Sequence, residues 1–180
     1  MKWMIASDIH GSEAFCRALL AAYAREGADK LLLLGDILYH GPRNALPNGY
    51  APKAVIELLN AKKEEILCVR GNCDAEVDQM VLDFPVMADY CVLFEQGRTI
   101  YVTHGHQFSE EHPPKLQAGD ILLTGHTHVP KCADHGWHYL NPGSVSIPKN
   151  GSWHGYMTLE NGVFTWKDLS GLVQMTWEME

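Results

Sequence analysis

The sequence has no C-x-x-C pair: its cysteines stand at 16, 68, 73, 91 and 132, an odd number without metal-knuckle spacing. That pattern argues against a disulfide framework and a thiolate zinc site, and most of these thiols are expected to be small core hydrophobes. It also has no long apolar run. The longest stretch of leucine, isoleucine or valine alone is Leu31–Leu34, far short of the ~20 residues that span a bilayer. Ser7 and Asp8 interrupt the N-terminal region before an apolar segment of about seven residues can form, so neither a membrane span nor a secretory signal is expected, and the expected location is the cytoplasm. Basic residues are few: 14 Lys and Arg face 22 Asp and Glu, a net charge of −8. This balance argues against broad gripping of duplex nucleic acid or of an anionic membrane, because both need a basic face that displaces counterions. A small anionic substrate held through bound metal is not excluded, and homo-oligomerisation stays open.

What is present suits a globular chain with a buried core. The 180 residues, 46% hydrophobic and 20% charged, correspond to about one domain at roughly 150 residues each, so residues 1–180 are expected to form a single domain. Apolar runs at Trp3–Ala6, Leu31–Leu34, Ile66–Val69, Thr99–Val102 and Ile121–Leu123 read as buried strands. Between the first two, Ser12 is placed to act as an N-cap, Phe15, Leu19, Ala22 and Tyr23 share a helical face, and Gly27 suits a C-terminal stop. Pro52 followed by Val55, Leu58, Leu59 and Lys62 predicts a second helix, giving β-α-β-α-β with parallel pairing. After residue 84 turn signals recur: Gln96-Gly97, Asn141-Pro142, Asn150-Gly151 and Asn161-Gly162. The last predicts a hairpin of Tyr156–Leu159 with Val163–Trp166.

Each buried run ends in residues of the same chemical kind: Asp8-Ile9-His10, Gly35-Asp36, Gly71-Asn72, His104-Gly105-His106 and Gly125-His126-Thr127-His128. Ligands in such sheets bind at the carboxyl ends of strands, so these ends can bring distant residues together. Extended backbone would also point residues i and i+2 of Asp8-x-His10 and His126-x-His128 into one cavity. Carboxylate, amide oxygen and imidazole without thiolate suit a borderline divalent ion. Seven such residues exceed one tetrahedral ion and fit two ions sharing a bridging carboxylate, about 3.5 to 4 Å apart. A lone histidine or aspartate at a strand end is most often structural, and His40, His112, His135, His138 and His154 are read that way; the shared chemistry at five ends argues otherwise for the set.

Asp8-x-His10, Gly35-Asp36, Gly71-Asn72, His104 and Gly125-His126-x-His128 together resemble, in order, the motif set of calcineurin-like metallophosphoesterases, over residues 1 to about 148. The resemblance is to small single-domain bacterial and archaeal phosphodiesterases of that superfamily. It implies an α/β fold, a four-layer αββα sandwich of two mixed β-sheets flanked by helices. It implies one metal held by Asp8, His10, Asp36 and His128, and another by Asp36, Asn72, His104 and His126, with Asp36 bridging. The expected cofactors are two divalent ions, Mn²⁺ first, with Fe, Zn, Ni and Co as alternatives. The expected reaction is hydrolysis of a small phosphodiester by a metal-bridging hydroxide.

This sequence departs from the family pattern twice. Where the third motif often carries a histidine thought to protonate the leaving group, Cys73 stands here, followed by Asp74; Tyr39 occupies a position that is frequently aspartate. Cys73, Asn72 and His106 are the catalytic candidates. Arg43, with Asn72, is the substrate-binding candidate, and Arg70 reads equally as an ion-pair partner. Asn141-Pro142-Gly143-Ser144 reads as a turn near the site without an assigned role. Two rival readings remain. One is a binding scaffold on the same fold, like the retromer subunit that resembles these enzymes; the other is a dimanganese hydrolase of carbon–nitrogen bonds. Intact ligands disfavour the first, and the Gly-Asn and Gly-His-x-His motifs disfavour the second.

Overall fold

A computed structural model describes residues 1–179. The chain begins β1 (Trp3–Ala6), α1 (Glu13–Glu26), β2 (Lys30–Leu33), α2 (Pro52–Asn60) and β3 (Ile66–Cys68). These are parallel crossovers: Met4 pairs with Leu31, and Leu31 with Ile66. The strands read as unbroken apolar runs because both of their faces are buried. Met4, Ala6, Leu31 and Leu33 face a core shared with α1 and α2, while Ile5, Leu32 and Leu34 face a second core between two sheets.

Helix α1 starts and stops where its capping residues require. Ser12 Oγ accepts the Phe15 N–H at 3.3 Å, and Gly27 takes the left-handed conformation at φ 59°. Its buried stripe is Cys16, Leu19, Ala22 and Tyr23; Phe15 lies beside it, stacked on His154 at 4.0 Å. Helix α2 buries Val55 and Leu59 and ends before Lys62, whose ammonium lies 5.9 Å from the Tyr23 ring centroid.

The remainder is α3 (Glu76–Gln79), β4 (Tyr90–Glu95), β5 (Arg98–Thr103), β6 (Ile121–Leu123), β7 (Pro130–Asp134), β8 (His138–Pro142), β9 (Gly155–Glu160), β10 (Val163–Asp168) and β11 (Val173–Glu178). Gln96-Gly97 turns β4 into β5, and Asn161-Gly162, at φ 52° and 80°, turns β9 into β10 as expected for a primed turn. Asn141-Pro142 is not a turn: it ends β8, and the chain steps through left-handed Gly143, φ 83°, before bending at Val145 and Ser146. The sheets are mixed. One has the order β11-β10-β9-β1-β2-β3, the other β4-β5-β6-β8-β7. Strand β9 of the C-terminal hairpin pairs antiparallel to β1, so the first sheet joins a C-terminal half, β9–β11, to an N-terminal half, β1–β3.

The two sheets face each other across Ile5, Leu32, Val102, Leu123, Met157 and Trp166, and Trp166 Nε1 donates to the Asn141 carbonyl at 2.7 Å, tying β10 to the end of β8. The expected sandwich of two mixed sheets is therefore present, with unequal helical cover. Helices α1 and α2 cover the first sheet. No helix interrupts the chain from β4 to β8, and Tyr101 on the second sheet meets Tyr90 and loop residue Phe108 instead. Among the described residues no helix is long and apolar enough to cross a membrane.

Candidate metal centre

The carboxyl ends of β1, β2 and β3 in one sheet and of β5 and β6 in the other meet at one edge of the sandwich. Asp8, His10 and His104 are fully buried there, Asp36 and His128 nearly so, while His126 is half-buried and Asn72 exposed. Asp8 Oδ1 lies 3.5 Å from His10 Nε2 and 3.3 Å from His128 Nε2. Asp36 Oδ2 lies 3.6 Å from His10 Nε2 and 3.5 Å from His104 Nε2. His104 Nε2 in turn is 3.1 Å from Asn72 Oδ1 and 3.2 Å from His126 Nδ1. All seven motif residues thus form one contiguous group.

The route to that convergence differs from the expectation of extended backbone. Asp8, His10, Asp36, His126 and His128 all adopt left-handed conformations, φ between 49° and 65°. Such conformations are uncommon outside glycine, are best tolerated by Asn, Asp and His, and concentrate at functional sites. After β1, β2 and β6 the chain leaves the strand through left-handed steps at the ligand-type residues themselves. Close backbone approach accompanies them: a Cβ on Gly71 would collide with Asp36, and one on Gly125 with Ser7 and Asp8.

Backbone carbonyls orient three of the imidazoles. The Nδ1–H groups of His10, His104 and His128 donate to the carbonyls of Tyr39 (2.8 Å), Leu34 (2.6 Å) and Ile147 (2.7 Å). A carbonyl only accepts, so Nδ1 carries the proton and Nε2 faces the cluster, as in metal-binding histidines. His126 is turned the other way, with Nδ1 inward. Asp8 Oδ1 and His10 Nε2 are buried without hydrogen-bond partners. A cation between them would satisfy both, and Asp8 with His10 and His128, and Asp8 with Asp36 and His104, are each close enough to share an ion. The donor set therefore fits divalent metal.

Charge in the cluster is strongly perturbed. Burial alone would raise the Asp8 carboxyl, but the neighbouring His10 and His128 imidazoles and the charge of His104 hold it well below the carboxylate range. Burial likewise opposes protonation of His104, yet the Asp36 hydrogen bond and the Asp8 and Asp36 charges push it up to about 9. His126 is pushed down to about 4 by burial and by His104. Two buried carboxylates thus draw positive charge to this spot.

The cleft above the cluster has a volume of about 510 Å³ and is lined in part by Arg43, Asn72, Cys73, His126 and Lys149. Cys73 accepts from Asn72 Nδ2 at 3.3 Å, and burial, with the nearby Asp36 charge, pushes its thiol up to about 12. His106 does not line the cleft; its ring packs 5.5 Å from that of His104. Arg70 is drawn away, donating to the Asp74 carbonyl at 3.2 Å with Glu76 3.7 Å distant.

Several supporting residues carry no local signal of their role in the sequence. Asp74 accepts the backbone N–H groups of Asp36 (2.8 Å), Gly71 (2.7 Å) and Ile37 (2.9 Å), lashing the second and third motifs together. Asn141 Nδ2 donates to the Gly125 carbonyl at 2.7 Å and to Thr127 Oγ1 at 3.1 Å, fixing the loop of His126 and His128. Ser144 and Ser146 both donate to the Asp8 carbonyl. The acid after Cys73 and the Asn-Pro-Gly-Ser run are visible in the sequence; their backbone partners are not, because they lie across the fold.

A family model for the calcineurin-like phosphoesterase superfamily domain matches residues 1–162. The chain belongs to that superfamily. Among members of the superfamily, phosphodiesterase YfcE of Escherichia coli K12 is 48% identical over 167 residues, 92% of this chain and 90% of that protein. The solved structure of E. coli YfcE, described as a phosphoesterase, superposes with a TM-score of 0.96 at 44% identity, covering 100% of both chains. Vps29 of Chaetomium thermophilum shares the fold at a TM-score of 0.64 and 15% identity, again over 100% of both chains. As a calcineurin-like phosphoesterase the chain has the divalent-metal chemistry of its family, and the buried Asp/His cluster is where such ions fit.

Proposed function

We propose that this chain is a phosphodiesterase using two divalent ions, Mn²⁺ first among them. Asp8, His10, Asp36 and His128 hold one; Asp36, Asn72, His104 and His126 hold the other. The observation that carries this reading is Asp36 Oδ2, 3.6 Å from His10 Nε2 and 3.5 Å from His104 Nε2, one carboxylate facing both halves of the cluster. The relative named a phosphodiesterase, at 48% identity, supports the diester class. Five free cysteines agree with work in a reducing cytoplasm.

Bound divalent ions supply a hydroxide nucleophile near neutral pH and neutralise phosphoryl charge. The chain's own residues orient and protonate. The carbonyl-bound Nδ1–H groups lock three imidazoles, and the Asp74 clamp holds Asp36 and the Gly71 turn in register. Arg43, exposed on the cleft wall, contacts a non-bridging phosphoryl oxygen. Cys73 stands where the family's proton-donating histidine would: as the ester bond breaks, its S–H proton passes to the leaving oxygen. A thiol pushed up to about 12 keeps that proton at neutral pH but gives it up reluctantly. His106 acts through His104, as a positioning residue.

The cleft brings only Arg43 and Lys149 as cationic side chains beside the ions, which suits a diester monoanion better than a monoester dianion. Metal-reconstituted protein should show higher kcat/KM for an aryl diester than for the matched aryl monoester, and a clear monoester advantage would overturn the assignment. A scaffold role on the same fold, the alternative raised by the Vps29 likeness, predicts no turnover of either ester with both ions demonstrably bound.

A further inference from the structure

Four basic side chains, Arg43, Lys53, Lys115 and Lys149, have neither an ion pair nor a side-chain hydrogen bond among the described residues. In a chain carrying 22 acidic against 14 basic residues, pairing is the easy outcome. Two of these four, Arg43 and Lys149, line the same cleft, and its only carboxylate among the described residues is Asp36, which is committed to the buried cluster.

Their loops are anchored to the site. The Lys149 N–H donates to the His128 carbonyl at 3.1 Å, and the neighbouring Ile147 carbonyl receives His128 Nδ1–H, so the backbone at 149 is registered to that imidazole. The loop continues through a left-handed turn at Asn150-Gly151, φ 55° and 69°, and Ser152 Oγ donates back to the Lys149 carbonyl at 2.7 Å. On the other loop, Asn44 Nδ2 donates to the His40 carbonyl at 2.9 Å, and Gly41 lies against Cys73, whose Sγ would be 3.2 Å from a Cβ there. One cation is therefore carried beside His128 and the other beside Cys73, with the cleft between.

The cleft is also larger than a phosphoryl group needs: 510 Å³ lies within the range of about 300–1,000 Å³ typical of pockets for whole small molecules. We propose that Arg43 and Lys149 form a subsite for a second anionic group, a carboxylate or phosphate on one arm of the diester, beyond the scissile phosphorus. This rests on the phosphodiesterase reading and narrows its substrate class to diesters with an anionic arm. Arg43 then divides its donors between the scissile group and that arm, and Lys149 serves the arm alone.

The test is calorimetric binding to Mn²⁺-loaded protein of two slowly hydrolysed probes, diphenyl phosphate and 4-carboxyphenyl phenyl phosphate. The carboxylated probe should bind about tenfold more tightly at low salt, the sum of two partly screened ionic contacts. The ratio should fall toward one in Arg43→Met/Lys149→Met and be retained in Lys149→Arg. A ratio near one in the unmodified protein overturns the subsite, as does a tenfold ratio that survives the double substitution. Turnover of bis(4-nitrophenyl) phosphate, measured in parallel, separates the two claims: hydrolysis with a ratio of one sinks only the subsite, and a tenfold ratio without hydrolysis sinks only the phosphodiesterase reading.

Discussion

At the scale of single residues, Cys73 makes the sharpest distinction. A thiol is a weaker hydrogen-bond donor than imidazolium, and a positioned acid is commonly worth 10² to 10⁴ in rate, roughly 3 to 5 kcal/mol. An aryl oxide leaves with little help, whereas an alkoxide needs the proton. Activated aryl diesters should turn over measurably and alkyl diesters slowly, and Cys73→His should raise kcat for the alkyl substrate more than for the aryl one. Equal gains on both, at unchanged metal content, would reject Cys73 as the proton donor. The identities of the clustered residues are legible in the sequence because carboxylate, amide and imidazole recur after each apolar run. Their left-handed backbone is not, since it accompanies contacts across the fold: Ser144 and Ser146, from the loop after β8, hold the Asp8 carbonyl, and Asn141 of β8 holds the Gly125 carbonyl beside His126. Cys73 is marked by motif position and Arg43 by its place in the loop after Asp36, and both line the cleft; Lys149, in an unremarkable Pro-Lys-Asn-Gly turn, is marked by nothing local.

At the scale of elements, one carboxylate holds the end of α1 to the first sheet. Glu26 accepts from Lys167 Nζ at 2.8 and 2.9 Å, from Lys2 Nζ at 3.0 Å and from Tyr156 OH at 2.8 Å. Burial would raise its carboxyl, but these bonds push it down to about 2 from an ordinary 4.5. A depressed carboxylate contributes stability that is complete above its unfolded value and is lost as pH falls through 4.5 toward 2. That contribution is on the order of 3 kcal/mol at pH 7. Glu26→Gln should lower stability at neutral pH and flatten the acid limb of a Tm-against-pH curve; an unchanged acid limb would show that the cluster is not coupled to folding. The elements legible in the sequence are those with two buried faces or strong punctuation: β1, β2 and β3, α1 with Ser12 and Gly27, and the Asn161-Gly162 hairpin. Strand β7, Pro-Lys-Cys-Ala-Asp, is an edge strand without an apolar run, and β8, though central, mixes His, Asn and Pro with its buried Tyr139 and Leu140. Neither carries a period-2 signal strong enough to read locally.

At the scale of the whole molecule, the two sheets bring their strand ends to one edge, and the buried Asp/His cluster is the product of that meeting. Asp8, His10, Asp36 and Asn72 come from the sheet of β1, β2 and β3, while His104, His126 and His128 come from the sheet of β5 and β6. The family resemblance implies two sheets but not which residues each supplies, and residue patterning alone suggests only parallel β-α-β-α-β pairing with a β-rich continuation. Asp36 is the residue through which the halves communicate, reaching His10 on its own sheet and His104 on the other. The most direct measurement is therefore metal content, by elemental analysis, of Mn²⁺-reconstituted protein and of Asp36→Asn. The unmodified chain should retain two ions, and the substitution should weaken both sites together and abolish diester hydrolysis. Two undiminished ions with unchanged activity in Asp36→Asn would contradict a bridging Asp36, and a single ion in the active unmodified chain would contradict the two-metal centre itself.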